Sequence, residues 1–289
     1  MLINLERFLG TVTLSEWTKN YRSIQPHINH IDQTISNQLV TAKWVHEQLQ
    51  NPEIYKTNHI FLRTDSYTNM KRVENYSTIL EGLDSGKTLQ IRNLETILPI
   101  TSSLLALANN IEATLLFRLN SITYFQSRPG SIATAIHKDI SEIFSIQLAG
   151  KKLWKFSNER DLTEKKFYIE KEVNFSFSKV MGAGDAVYSP SYLPHQVQCI
   201  DEESVSVAMV FSCPEYRSFW EIIKNKPELN HWLHRSTPPL GANINPSSSQ
   251  ADFKEFKKLL IKNINQLSFQ DFQQAIQEDI LKIKEVYRI

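Results

Sequence analysis

From residue 88 onward, hydrophobic and polar positions alternate in short runs. TLQIRN (88–93) comes first. After a helical interlude follow TLLFRL (114–119), ITYFQS (122–127), EIFSIQL (142–148), KLWKFS (152–157), VNFSFSKV (173–180), DAVYSP (185–190), HQVQCI (195–200) and SVSVAMVFS (204–212). A period of two predicts strands. Turn signals separate them, among them Arg128-Pro129-Gly130, Ala149-Gly150 and Gly182-Ala183-Gly184-Asp185. The eight strands after the first predict an antiparallel barrel or jelly roll. Elsewhere the apolar spacing is three and four. TAKWVHEQL (41–49), behind a Thr cap, and SSLLALANNI (102–111) predict helices. So do EYRSFWEIIK (215–224) and two amphipathic stretches at the end of the chain. One carries Phe253, Phe256, Leu260, Ile264 and Leu267. The other starts at a Ser268-x-x-Asp271 cap and carries Phe272, Ile276, Ile280 and Ile283. Residues 236–250 read as a Pro/Ser/Asn-rich linker and 63–86 as a polar surface loop. The plan is a mixed N-terminal flank packing on the core (1–87), a mainly β core (88–214) and a helical C-terminal region (215–289).

Bulk properties narrow the class without naming it. The chain has 289 residues, enough for one large domain or one domain with an appendage. Its apolar (41%) and charged (22%) fractions are those of a soluble globular protein. A net charge of +1 gives no global attraction to nucleic acid or to an anionic membrane. No apolar run approaches the length of a membrane helix. The opening MLINLERFLG does not read as a secretion signal. Two cysteines, Cys199 and Cys213, make no disulfide framework, so a cytoplasmic protein is expected. There is no internal repeat and no Gly-rich phosphate loop.

The sharpest candidate chemistry is His137-Lys138-Asp139. In extended chain, residues two apart point to one side, so an imidazole and a carboxylate can reach a single ion. Two His and one carboxylate form a facial triad with open positions, suited to non-haem iron and O2. His195, in the turn after DAVYSP, is the candidate third ligand. Alone, such a triplet is more often a surface group or a local hydrogen-bonded pair than a metal site.

The flanking residues add a family resemblance. The segment 134–156, TAIHKDISEIFSIQLAGKKLWKF, resembles the metal-binding strand pair of JmjC-type (cupin-like) oxygenases. The asparaginyl hydroxylases and ribosomal-protein oxygenases are the branch it resembles. The segment 182–195, GAGDAVYSPSYLPH, resembles the same family's second metal-binding stretch. Together the two cover about residues 115–213. The resemblance implies a double-stranded β-helix, in agreement with the strand pattern. It also implies Fe(II) held by His137, Asp139 and His195, 2-oxoglutarate as co-substrate, and O2.

The co-substrate's distal carboxylate needs a cation. Lys152, fifteen residues after His137, stands at the matching position; the alternative is a solvated strand lysine. Thr134 matches a hydroxyl that holds 2-oxoglutarate in the asparaginyl hydroxylases. Tyr124 either lines the same pocket and donates to that carboxylate or points outward. Where those hydroxylases carry an Asn and a Trp near the iron, this chain has Val210 and Ser212, which speaks against an asparaginyl substrate. His27 and His30, and His231 and His234, read as structural or surface histidines. Cys199 reads as a small core residue, and Trp154 and Phe156 as barrel interior.

The implied reaction hydroxylates a C–H bond in a protein, a peptide or an amino-acid-like molecule, with release of succinate and CO2. The absence of zinc modules and chromatin-reader patterns favours hydroxylation over demethylation. Two other classes stay open: a cupin-fold metalloenzyme that does not use 2-oxoglutarate, and an inactive cupin-like binding module. The C-terminal helices either form a homodimer contact or pack on their own barrel.

Overall fold

The computed structural model describes residues 4–31, 39–64, 70–115, 117–162, 173–200, 202–212, 246–268 and 270–271. The chain divides into two compact units, Met1–Cys213 and Pro214–Ile289.

The first unit is built on two antiparallel sheets. Its strands are β1 (His27–His30), β2 (His59–Arg63), β3 (Lys71–Arg72), β4 (Thr88–Arg92), β5 (Arg118–Ser127), β6 (Ile132–His137), β7 (Glu142–Ala149), β8 (Lys152–Ser157), β9 (Phe175–Met181), β10 (Asp185–Ser189), β11 (His195–Cys199) and β12 (Ser204–Ser212). The major sheet runs β1-β10-β7-β12-β5-β4-β2-β3 and the minor sheet β6-β11-β8-β9. The result is the double-stranded β-helix expected from the sequence. Helices α1 (Leu5–Leu9), α2 (Leu14–Asn20), α3 (Ala42–Leu49), α4 (Ile54–Thr57), α5 (Tyr76–Asp84) and α6 (Ser103–Leu115) accompany the major sheet.

Strand alternation explains why the major sheet has two different buried faces. On β12, Val205, Val207, Met209 and Phe211 join one large core with Leu104, Leu107, Ala108 and Ile111 of α6. These helical positions recur at three and four, so α6 lays one apolar stripe on the sheet. Phe8, Trp17, Phe144, Phe117, Tyr188 and Phe211 interlock in the same layer, with Trp17 and Tyr188 edge to face at 4.8 Å. The intervening residues Ser206, Ala208 and Val210 turn inward and line a cavity. A second, smaller cluster (Ala133, Trp154, Phe156, Met181, Val187, Leu193 and Val197) packs the space between the sheets.

Several local details differ from the sequence reading. The stretch 63–86 is not merely a surface loop. It contains β3 and α5, which has an Asn75 cap and buries Ile79 and Leu83. TLLFRL and ITYFQS are not two strands: α6 runs to Leu115, and β5 then continues unbroken from Arg118. The N-terminal flank supplies β1, β2 and β3 to the major sheet itself.

In the second unit, α7 (Pro246–Gln266) covers the expected amphipathic segment. Beyond it, the Asp271 N–H donates to Ser268 Oγ (3.1 Å), and Asp271 Oδ2 accepts from the Ser268 N–H (2.7 Å). This reciprocal cap is the expected helix start. Phe272, Ile276, Ile280 and Ile283, the 215–224 helix and His231 and His234 lie outside the described residues.

The turn from β7 to β8 sets the position of Lys152. Gly150 sits there at φ +64°, and a Cβ would meet the Glu203 carbonyl oxygen at 2.2 Å. The Gln147 side-chain amide donates to the Ala149 carbonyl (2.6 Å) and to Ser204 Oγ (2.8 Å), tying the turn to β12. A left-handed non-glycine residue costs on the order of 1–3 kcal/mol, and here backbone blocks the added carbon. Gly150→Ala should therefore lower stability by about 2 kcal/mol or more. The readout is the urea unfolding midpoint at unchanged slope; an unmoved midpoint would refute the packing argument.

Candidate metal centre

β6 and β11 are antiparallel neighbours in which His137 stands directly opposite His195. Their rings lie 4.2 Å apart between centroids. Asp139, two residues beyond the end of β6, brings Oδ2 to 3.6 Å from His137 Nε2 and 3.5 Å from His195 Nε2. The three ligand-type atoms lie within 4.8 Å of one another, the one such group found among the described residues.

Both imidazoles are set up in one tautomer. His137 Nδ1 donates to the Ala135 carbonyl (2.8 Å) and His195 Nδ1 to the Leu193 carbonyl (2.9 Å). Each Nε2 thereby faces Asp139. Burial, together with the neighbouring His137, pushes the His195 pKa down to about 4, so its neutral, ligating form holds at neutral pH. Burial opposes ionisation of Asp139, but the two imidazoles and Arg63 outweigh it and hold the carboxyl at about 2. A buried N, N, O set of this kind fits a divalent first-row metal such as iron.

Buried polar groups hold the loops that carry these ligands. Lys138, the middle residue of the triplet, turns away from the triad. Its Nζ donates to the Asp161 carboxylate (2.9 Å) and carbonyl (2.8 Å), with the side chain almost fully buried. The Tyr192 N–H donates to the Asp139 carbonyl (2.6 Å), hooking the turn before His195 onto the segment after His137. Tyr192 takes φ +63° to do so. The fully buried carboxylate of Glu142 accepts from Tyr188 Oη, from Ser191 Oγ (3.1 Å) and from Ser23 Oγ (3.0 Å). Arg160 bridges the same turn, donating to Ser191 O (2.8 Å) and Ser23 O (2.8 Å). Trp154 stacks on the His195 ring at 5.8 Å and 16°.

The triad opens into a cavity of about 400 Å³ between the sheets. Lys152, nearly fully buried, points into it. Its Nζ donates to Ser206 Oγ (2.6 Å) and sits 5.5 Å from the centre of the Phe125 ring. Burial lowers its pKa to about 7. Thr134 also lines the cavity, and its buried Oγ1 has no hydrogen-bond partner. Three residues apart on a regular strand, Thr134 and His137 would face opposite ways. A bulge corrects this: β6 spends three residues between these positions where β11 spends two, from His195 to Val197.

Tyr124 is not in the cavity. Its neighbours Thr123 and Phe125 line it, and alternation sends Tyr124 to the helix-covered face, where its hydroxyl donates to Gln126 Oε1 (3.1 Å). Tyr124 is therefore withdrawn as a co-substrate ligand. Val210 lines the cavity, while Ser212 pairs with Asn120 (2.7 Å) near the strand end. His27 bonds the Leu9 carbonyl (3.0 Å) and His30 pairs with Asp185 (2.8 Å), both structural. Cys199 is fully buried. Sequence reasoning missed His59, Arg63, Gln90 and Arg92, which also line the cavity. The alternation HIFLR and TLQIR carries that signal: Ile60, Leu62, Leu89 and Ile91 face the core, so the polar partners face the cavity.

Residues 106–219 match the family model of the JmjC domain. Among solved structures, the ribosomal oxygenase YcfD from Escherichia coli is similar with a TM-score of 0.60 at 16% identity, over 93% of this chain and 71% of that one. YcfD in complex with cobalt and 2-oxoglutarate gives 0.59 at 17% identity, over 93% and 71%. Its complex with cobalt and succinic acid gives 0.58 at 16%, with the same coverage. At these identities the likeness shows the fold. No curated protein matches the sequence.

A ligand and a support should differ in how much metal affinity they carry. Asp139→Ala should weaken cobalt(II) binding by more than the roughly 10–100-fold that follows loss of an outer partner. Lys138→Met, which removes the clamp and no ligand atom, should fall within that range. Titration calorimetry at neutral pH distinguishes them; equal losses would mean that Asp139 is not a ligand.

Proposed function

From the JmjC domain at residues 106–219 as premise, we propose that the chain is an Fe(II)- and 2-oxoglutarate-dependent oxygenase that hydroxylates a C–H bond of an amino-acid side chain. The observation that carries this reading is the meeting of three features in one cavity: the His137–Asp139–His195 triad, the buried Lys152 and the unpartnered Thr134 hydroxyl. The cobalt, 2-oxoglutarate and succinate complexes of the structurally similar YcfD support it, and its description as a ribosomal oxygenase favours a protein side chain as substrate.

Bound iron would supply O2 activation coupled to oxidative decarboxylation of 2-oxoglutarate to succinate and CO2. The chain's own residues do the rest. His137, Asp139 and His195 would hold the ion on one side and leave its remaining positions to the cavity. Lys152 would bind the distal carboxylate of 2-oxoglutarate through a charge-assisted hydrogen bond, in place of its present bond to Ser206. Thr134 Oγ1 would donate to the same molecule. Phe125, Trp154 and Val197 wall the site against water, which strengthens these contacts.

Anaerobic visible absorption of the iron(II)-loaded protein tests the reading. Adding 2-oxoglutarate should produce a weak metal-to-ligand charge-transfer band that is lost in His137→Ala. Iron binding without a band would point instead to a cupin-fold metalloenzyme that does not use 2-oxoglutarate. Lys152→Ala should raise the dissociation constant of 2-oxoglutarate roughly ten- to a hundredfold, the strength of a hydrogen bond to a charged group. Because burial places Lys152 near pKa 7 in the free protein, the amine is charged below that pH and loses its proton above it. Binding the dianion above pH 7 therefore requires proton uptake. The affinity should fall by up to about tenfold per pH unit there, and this slope should vanish in Lys152→Ala.

A further inference from the structure

The triad, Lys152 and Thr134 use one part of the cavity. The remainder is formed by the inward faces of β2, β4 and β5: His59 and Arg63, Gln90 and Arg92, Ser121 and Thr123. Among the described residues lining the cavity, Asp139 is the one carboxylate. A divalent ion and the two carboxylates of 2-oxoglutarate balance each other, and Asp139 and Lys152 do the same. The Arg92 guanidinium then makes this part of the cavity positive.

Two details show what this part could hold. The Arg92 guanidinium lies over the Phe61 ring at 5.3 Å and makes no ion pair among the described residues. The ring fixes its plane and leaves its N–H fork free for a planar anion. Gln90, on the same face of β4, is 5% exposed, and its buried Oε1 accepts no hydrogen bond. A buried acceptor of this kind calls for a donor. Arg63, 3% exposed, lines the same cavity and favours the charged form of Asp139.

We infer that Arg92, with Gln90, forms a binding subsite for an acidic amino-acid unit, whose carboxylate meets the guanidinium and whose N–H meets Gln90 Oε1. This rests on the oxygenase reading and names its prime substrate class. A volume of about 400 Å³ accommodates the co-substrate and one such unit beside it, as a free acidic amino acid or as a residue of a peptide. A lysine or arginine side chain would meet like charge there and, among the described lining residues, no carboxylate beyond the metal-facing Asp139.

The test is calorimetric binding to protein loaded with cobalt(II) and 2-oxoglutarate. The probes are L-glutamate, L-aspartate and their N-acetyl amides, set against L-lysine and L-arginine. Binding confined to the acidic set is expected. Arg92→Ala should weaken it at least about tenfold, Arg92→Lys should recover part, and Arg92→Glu should turn the preference toward the basic set. Preference of the unmodified protein for the basic probes overturns the subsite, as does binding of none of the acidic ones. So does an Arg92→Ala protein that loses 2-oxoglutarate and keeps the acidic probes, since Arg92 would then anchor the co-substrate. The charge-transfer band of the unmodified protein tests the oxygenase reading separately. A band without acidic-probe binding sinks the subsite alone; acidic-probe binding without a band sinks the oxygenase reading alone.

Discussion

The pairing of β6 with β11 is the constraint on which the site depends. It sets His137 opposite His195 and, through one extra residue in β6, turns Thr134 to their side. Everything around it serves to keep that ladder in register. Tyr192 bonds the Asp139 carbonyl, Lys138 is clamped by Asp161, and Glu142 gathers Ser191, Ser23 and Tyr188. These are expensive contacts, because an ionised side chain taken from water must be matched almost completely. Their concentration on both sides of one strand pair fits a site that must hold three ligand atoms in place before any ion arrives.

The cavity is defined by which polar residues are left without helix or solvent. The outer face of the major sheet is covered by α1, α2, α3, α5 and α6, and the residues packed there are mostly apolar or aromatic. The inner face also lies against protein, yet carries Ser121, Thr123, Ser145 and Ser206. Small hydroxyl residues on a doubly covered sheet mark space rather than packing. This is why Lys152 is buried with a serine as its nearest polar partner. It waits in a pocket that burial makes unfavourable for its charge and that an anion would make favourable.

Much of this was legible beforehand because two signals coincided. The period of two marked the core strands on either side of the ligand motifs, and those motifs kept their spacing within the strands. What stayed hidden had physical reasons. Ile79 and Leu83 are too few to outvote Asn75, Ser77, Thr78 and Glu81, so α5 read as loop although it packs on the sheet. A one-residue uncertainty of phase on β5 sufficed to misplace Tyr124, since neighbours on a strand face opposite sides. The β6 bulge could not be seen from β6 alone, because a bulge is a property of a pair. Arg63 and Arg92 carried no motif, and only the pairing of β2 with β4, and of β4 with β5, brings them round to the cavity.

That last point bears on how such a fold acquires specificity. The minor sheet and the adjoining end of β5 and β12 supply the triad, the lysine and the hydroxyls, so on the proposed reading this region serves the metal and its co-substrate. The strands β2 and β4 come from upstream of the matched residues and supply none of the three triad side chains. They are free to vary in the side chains they present on alternate positions while keeping Ile60, Leu62, Leu89 and Ile91 in the core. A change at His59, Gln90 or Arg92 thus alters the polarity of the cavity while the apolar face of the sheet keeps its packing. On the proposed reading, the choice of substrate is then a question about the strands upstream of residues 106–219 rather than about the triad.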